Sequence, residues 1–327
     1  MRRALAIGIA TVLAFGTACG DGNETTDPVE SEGTGASAPE CPPARRSLID
    51  AVLPASGAVE VGGVRLPVGA VRTAGYSDTP NTAVIWTTDA PVDDPWALWS
   101  ELVDVYPSTG LWPLVLTSLP DFGGTGEAGR PWLSNEFDLP ADPAAADDVT
   151  ADAAFAEEWS LVVPTDAADP SWVAEVLGPF TTEVPTLAPA SMECAGAATA
   201  LADESQMAAD FSTSGGDAYI GLVATHRPAD ALMAMGYAGP ANYTSDLANY
   251  TSMLRSWEDR FGAYIAVVGF ADITVVMERP PSDDEALSHL AAEVYAICPD
   301  VVWQGVGSIP ALAGEIASSG QLFCWWD

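Results

Sequence analysis

The chain has 327 residues, 48 % of them hydrophobic and 11 of them Trp, which is enough apolar mass for a substantial core and excludes global disorder. Forty-six acidic residues face 11 basic ones, all arginine, for a formal net charge of −35. That balance excludes general nucleic-acid binding and charge-driven adhesion to anionic lipid, both of which draw on cationic side chains, and it reads as a solubilising surface.

The chain opens with Arg2 and Arg3, followed by an apolar run from Ala4 to Phe15. That run is too short to span a bilayer and reads as an export signal over residues 1–18. It ends in Gly16-Thr17-Ala18-Cys19-Gly20, small residues before a cysteine, which resembles a bacterial lipobox with Cys19 as the lipidated residue. Gly16 stands where such signals usually carry an aliphatic residue, and ordinary signal cleavage is the alternative. Residues 19–44 are rich in Gly, Ser, Thr, Glu and Pro without apolar periodicity, and read as a disordered tether.

Residues 45–211 form an N-terminal α+β region. Val59–Leu66 reads as a hairpin about Gly62-Gly63, and Thr82–Thr87 as a strand. Asp94-Pro95 opens a helix to Tyr106, with Trp96, Trp99, Leu102, Val103 and Tyr106 on one face. Leu111–Leu116 is expected at a sheet edge, because Pro113 cannot donate to a ladder. An acidic loop region, a helix at Ala151–Glu158, a strand at Ser160–Val163, a short helix from Asp169-Pro170 to Leu177, an extended Thr181–Pro189 and a helix at Ala195–Phe211 follow.

Residues 212–327 form a better-patterned C-terminal domain. Ala218–Thr225 is a strand and Ala229–Met235 a short helix. Then comes Gly236–Gly262, in which Ala241-Asn-Tyr-Thr-Ser-Asp-Leu247 is repeated almost word for word as Ala248-Asn-Tyr-Thr-Ser-Met-Leu254. Leu247, Leu254, Trp257 and Phe261 share one helical face, Thr244 or Ser245 can cap its start and Gly262 its end. Ala263–Phe270 and Ile273–Glu278 make a hairpin, Ser282 caps a helix to Ile297, Ile309–Ser318 is the last helix and Leu322–Trp326 the last strand. The order β-α-α-β-β-α-α-β indicates an α+β fold, with helices packed on one face of a mainly antiparallel sheet.

Gly239-Pro-Ala-Asn-Tyr243, Leu254-Arg-Ser-Trp-Glu-Asp-Arg-Phe-Gly262, Val268-Gly-Phe270, Pro280-Pro281, Ala292-Glu293, Cys298-Pro-Asp300, Trp303-Gln-Gly305 and Trp325-Trp326-Asp327 together resemble the bacterial domain-of-unknown-function family 4253. The resemblance covers about residues 218–327. Gly110-Leu-Trp-Pro-Leu114 and Arg130-Pro-Trp132 echo it upstream. It implies no activity, since the family has none established. Cys324 departs from the pattern, which usually has Phe there.

That departure guides the cysteine reading. Apart from Cys19, four cysteines remain, and an exported chain with an even count suggests disulfides. The unusual Cys324 beside the family-like Cys298 makes that the first pair, leaving Cys41 with Cys194; buried free thiols are the alternative. Only two histidines occur, His226 and His289, and no Cys-x-x-Cys or His-Glu-x-x-His spacing, so neither a metal site nor a cofactor is expected. Gly124-Thr-Gly126-Glu-Ala-Gly129 fits a dinucleotide loop by pattern, but Arg130-Pro131-Trp132 is no helix opening, and a loop is expected.

The cluster most able to carry chemistry is Arg255, Trp257, Glu258, Asp259, Arg260, Glu293, Asp300, Gln304 and Trp325-Trp326-Asp327. Arg255, Trp257, Arg260, Gln304, Trp325 and Trp326 are candidate binding residues. A carboxylate pair drawn from Glu258, Glu293 and Asp300 could serve a hydrolase acting in the cell envelope. The competing expectation is core aromatics and structural ion pairs. The leading expectation is a membrane-tethered extracytoplasmic lipoprotein, anchored through its N-terminal lipid, whose domain binds a protein or small-molecule partner; the alternatives are the envelope hydrolase and a purely structural partner in a larger envelope complex.

Overall fold

A computed structural model describes residues 43–74, 82–120, 129–138, 140–163, 169–191 and 216–327. The expected helix at Ala195–Phe211, Cys19, Cys41, Cys194 and most of the Gly124–Gly129 motif lie outside them.

One eight-stranded sheet organises the compact unit Pro39–Asp327. Strands β1 (Gly57–Val61) and β2 (Val64–Thr73) form the expected hairpin, and Gly62 and Gly63 turn the chain with φ of 58° and 92°. The remaining strands are β3 (Ala83–Thr88), β4 (Leu111–Thr117), β5 (Ala218–Ala224), β6 (Ala263–Val268), β7 (Asp272–Met277) and β8 (Gln321–Trp325). Their order is β1-β2-β3-β5-β4-β6-β7-β8, antiparallel throughout except for β4 beside β6. The fold is therefore α+β with a mainly antiparallel sheet, as expected, and the C-terminal half follows the expected strand and helix order. Strands from the N- and C-terminal regions interleave, since β5 lies between β3 and β4.

β4 does not lie at an edge. It is buried along nearly its whole length between β5 and β6. Pro113 is tolerated because β4 meets β6 only at Val115 and Leu116, past the proline. Two indoles do the bonding around it. Trp112 Nε1 donates to the Ile265 carbonyl of β6 at 2.9 Å, and Trp99 Nε1 donates to the Pro113 carbonyl at 3.0 Å. A side-chain donor can serve where the imino nitrogen has none.

Helix α1 (Pro95–Thr109) starts as expected, with Asp94 accepting from the Ala97 N–H, and buries the five predicted residues. Helix α2 runs Ala151–Val162, so the expected strand at Ser160–Val163 is absent. Phe155, Trp159 and Val162 are buried on one helical face, and Trp159 meets Phe155 and Tyr295 edge-on, so tertiary packing overrides the β-branched run. The short α3 (Pro170–Trp172) passes into a wide turn at Val173–Leu177. After β5 come α4 (Ala231–Met235) and α5 (Ala248–Phe261), with α6 (Asp284–Ile297) and α7 (Ile309–Ser319) between β7 and β8.

Only the second copy of the seven-residue repeat is helical. Thr244 Oγ1 accepts from the Asp246 N–H and Asp246 Oδ1 accepts from the Ala248 N–H, so the first copy folds as turns, and the N-cap falls at Leu247, which has no capping side chain, not at Thr244 or Ser245. α5 ends at Gly262 with φ of 57°. α6 is capped by Asp283, not Ser282, through the Ala286 N–H.

Candidate functional site

α5 carries most of the expected site, and its two sides do different work. Toward the interior, Trp257 is fully buried and donates from Nε1 to Glu293 Oε2 at 2.8 Å. Glu293, on α6, is itself inaccessible to solvent. It also accepts from Arg260 Nη2 at 2.5 Å, from Arg260 Nη1 at 2.9 Å and from the Ala188 N–H at 2.7 Å. Arg260 donates further to the Ala188 carbonyl and Ser256 Oγ. This knot ties α5, α6 and the segment around Ala188 together, and it uses every strong acceptor direction of the carboxylate.

Glu258 points elsewhere. One oxygen accepts from the Ala229 N–H at 2.9 Å; the other pairs with Arg46 and lies 3.5 Å from Arg227 Nε. Next to it Asp259, half exposed, accepts from Arg46 Nη2 at 2.5 Å and Arg227 Nη2 at 3.1 Å. Arg255 is held by Asp230 at 2.6 Å, Asp147 at 2.7 Å and the Pro143 carbonyl at 3.0 Å. Burial opposes its charge, but the Asp230 and Asp147 carboxylates outweigh that and raise its guanidinium above the ordinary value.

Asp300 belongs to a third group, at the C-terminus. It is buried and accepts from Tyr243 Oη at 2.7 Å, Gln304 Nε2 at 3.0 Å and the Asp327 N–H at 2.9 Å. Burial and this carboxylate raise the Tyr243 phenol strongly. Trp326 is core: it stacks on Tyr250 with ring centres 6.0 Å apart and donates to the Ile297 carbonyl at 2.7 Å. Trp325 is half-buried at the end of β8. Cys298, just after α6, and Cys324 in β8 are joined as a disulfide, with Cα atoms 5.5 Å apart.

The three candidate carboxylates thus share no hydrogen-bond or ion-pair partner. The histidines are bound to backbone: His226 Nδ1 lies 2.9 Å from the Ser47 carbonyl and Nε2 3.1 Å from Asp50, while His289 Nδ1 lies 2.6 Å from the Thr186 carbonyl. Among the described residues, no three His, Cys, Asp or Glu side chains gather as metal ligands would. What stays open is a groove of about 490 Å³ along the outer side of α5, lined by Asp147, Ser252, Arg255, Ser256, Asp259 and Arg260 together with small residues around Ala146.

Residues outside the expected cluster complete this picture. Arg45, Arg46, Asp147, Arg227, Asp230 and Glu278 supply the countercharges. The available signal was scarcity: in a chain with 11 arginines, the runs Arg45-Arg46 and His226-Arg227 stand out. Neither curated proteins nor solved structures gave a match to this chain. Residues 219–327, from the second residue of β5 through β8, match the family model of a domain of unknown function (DUF4253).

Proposed function

We propose that this protein is a lipoprotein tethered to the extracytoplasmic face of a membrane, whose folded part recognises a protein or small-molecule partner through the groove along α5. The observation that carries the binding reading is the contrast at that helix. Asp230, Glu258 and Glu293 are buried and spent on arginines, while the groove leaves Asp147 and Asp259 more than half exposed even as they pair with Arg255 and with Arg46 and Arg227. Pre-formed concave surfaces with a few polar groups are where ligands settle. The tether reading rests on the lipobox-like Gly16–Cys19 and the Gly/Ser/Pro-rich stretch after it.

Two measurements test the two halves. Expressed in a lipoprotein-processing bacterial host, the chain is expected in the membrane fraction with an intact mass that starts at Cys19 and includes acyl groups. Cys19→Ala is expected to abolish both, and an unprocessed cytoplasmic chain would overturn the tether. A photo-crosslinking residue at Ser256 is expected to trap an envelope component that the same residue at Ser108, on α1, does not. Identical adducts at both positions, or none at either, would remove the groove from consideration.

A further inference from the structure

Residues 45–53 have no regular secondary structure, yet their first three residues are tightly held. The Arg45 N–H donates to Tyr264 Oη at 2.9 Å, and its guanidinium meets Glu278 at 3.0 Å and lies over the Tyr264 ring. Arg46 bridges Glu258 and Asp259. Ser47 is buried; its N–H donates to the His226 carbonyl at 3.1 Å and its hydroxyl to the Pro107 carbonyl. Immediately after, the pattern inverts: Leu48 is 92 % and Val52 85 % exposed. An ordinary docked segment buries its apolar side chains and leaves its arginines in water. Ala51 and Leu53 pack against the core farther on, but over residues 45–48 the polar groups are drawn in and the leucine stays out, so charge and hydrogen bonding hold this first part of the strap.

The receiving surface comes from the other end of the chain. Glu258 and Asp259 belong to the last turn of α5, and Glu278 follows β7. Glu258 is fully buried. Its second oxygen accepts no hydrogen bond; the guanidiniums of Arg46 and Arg227 flank it as ion-pair partners. A buried carboxylate needs a cation, and one of its two is supplied from more than 200 residues away. The two arginines also crowd each other. Burial first, and then Arg227, pull the Arg46 guanidinium below its ordinary value, so the strap is held against opposing terms.

We propose that Glu258, Asp259 and Glu278 form an acidic notch that recognises a segment with two adjacent arginines, filled in cis by Arg45-Arg46 as a releasable strap. Arg45 reads the Glu278–Tyr264 side and Arg46 the Glu258–Asp259 side, so the notch requires neighbouring arginines rather than positive charge as such. A cis occupant competes at the high effective concentration set by its short connection to the fold. The notch is therefore closed to other arginine segments until the strap lifts. The notch shares Asp259 with the groove, but the strap's occupancy of it does not depend on what the groove binds.

The test uses the full chain and, as probe, a fluorescent peptide of residues 43–50. The Arg45→Ala/Arg46→Ala chain is expected to bind it at least about tenfold tighter than the unaltered chain. A peptide of the same composition with its arginines separated is expected to lose that preference, as is the double variant with Glu258→Gln added. Equal binding to both chains, equal binding of both peptides, or no binding by a double variant whose circular dichroism and unfolding midpoint match the parent would overturn the proposal. Should the double variant fail to fold, hydrogen exchange of the unaltered chain decides. The Ser47 amide is expected to exchange by local opening well before the amides of β4 and β5, and exchange in step with them would refute a releasable strap.

Discussion

Glu293→Gln removes one negative charge from the interior and changes little in shape. Glu293 receives four donors: the Ala188 N–H, the Trp257 indole and two from Arg260. A glutamine offers one oxygen. In one orientation its amide group confronts Ala188 and Arg260 Nη1; in the other it confronts Trp257 and Arg260 Nη2. Two buried donors lose their acceptor either way, at about 1–3 kcal/mol each. Arg260, mostly buried, also loses its countercharge, and breaking a buried pair from one side costs about 3–5 kcal/mol in all. These costs overlap, so the expected destabilisation is about 3–5 kcal/mol, a fall in unfolding midpoint on the order of 10 °C for a chain of this size. Urea unfolding followed by fluorescence and circular dichroism measures it, with an unchanged urea dependence showing that the native state is the same. Adding Arg260→Met should cost less than the sum of the two single changes, because the second removes a cation the first has already orphaned. A Glu293→Gln chain within about 0.5 kcal/mol of the parent would refute the knot as a structural keystone and return Glu293 to the list of functional carboxylates.

Three further outcomes follow from the fold. Burial pushes the Asp272 carboxyl, at the start of β7, up to about 6 from an ordinary 3.8. The native state holds that proton where the unfolded chain releases it, so stability is lost as pH rises through this window, by up to ~3 kcal/mol at about 1.4 per pH unit. Asp272→Asn should therefore raise the unfolding midpoint at pH 7 and leave it nearly unchanged at pH 4; equal effects at both would contradict this. The Cys298–Cys324 bond closes a loop of 26 residues, so Cys298→Ala/Cys324→Ala should cost about 3–4 kcal/mol, read as a lower urea midpoint for the variant. Gly110→Ala places a Cβ 2.6 Å from the Ile49 carbonyl at a φ of 68°, which should cost about 1–2 kcal/mol and speed exchange of the Ser47 amide; an unchanged Ser47 amide would mean the strap does not rest on this turn.

Much of the fold was legible because it rests on local signals. Asp94-Pro95, Gly62-Gly63 and the apolar stripe of α1 act over a few residues, and each element formed where those signals place it. The failures are places where a distant partner supplied what the local chain lacks. Pro113 argues for an edge strand only if backbone alone must complete the ladder, and here the indole of Trp112 reaches Ile265 of β6 while Trp99 of α1 donates to the Pro113 carbonyl. Ser160–Val163 has strand composition, yet Trp159 meets Tyr295 across more than a hundred residues, and that contact keeps the helix going. The duplicated heptad makes the same point with composition nearly fixed. One copy stands after Gly239-Pro240 and folds through hydroxyl and carboxylate turns; the other buries Met253 and Leu254 and becomes α5.

The candidate site was legible in its members but not in its partnerships, and the reason is electrostatic. Attraction between charges carries no sequence periodicity, so nothing in Glu258-Asp-Arg260 reveals that the first faces Arg46 and the last faces Glu293. Helix geometry does divide them: residues two apart on a helix point to different sides, so Glu258 and Arg260 meet different partners. Consecutive Glu258 and Asp259 are both met by Arg46 because its guanidinium forks, one nitrogen to each carboxylate, at the last turn of α5. An acidic chain with 11 arginines has few cations to neutralise its buried carboxylates. It concentrates Arg45, Arg46, Arg227 and Arg279 around that one turn, where Arg279 also donates to the Asp259 carbonyl. A surplus of acid makes buried Glu258 and Glu293 depend on particular arginines, and at Glu258 that dependence helps the first residues of the folded unit fasten onto residues 219–327.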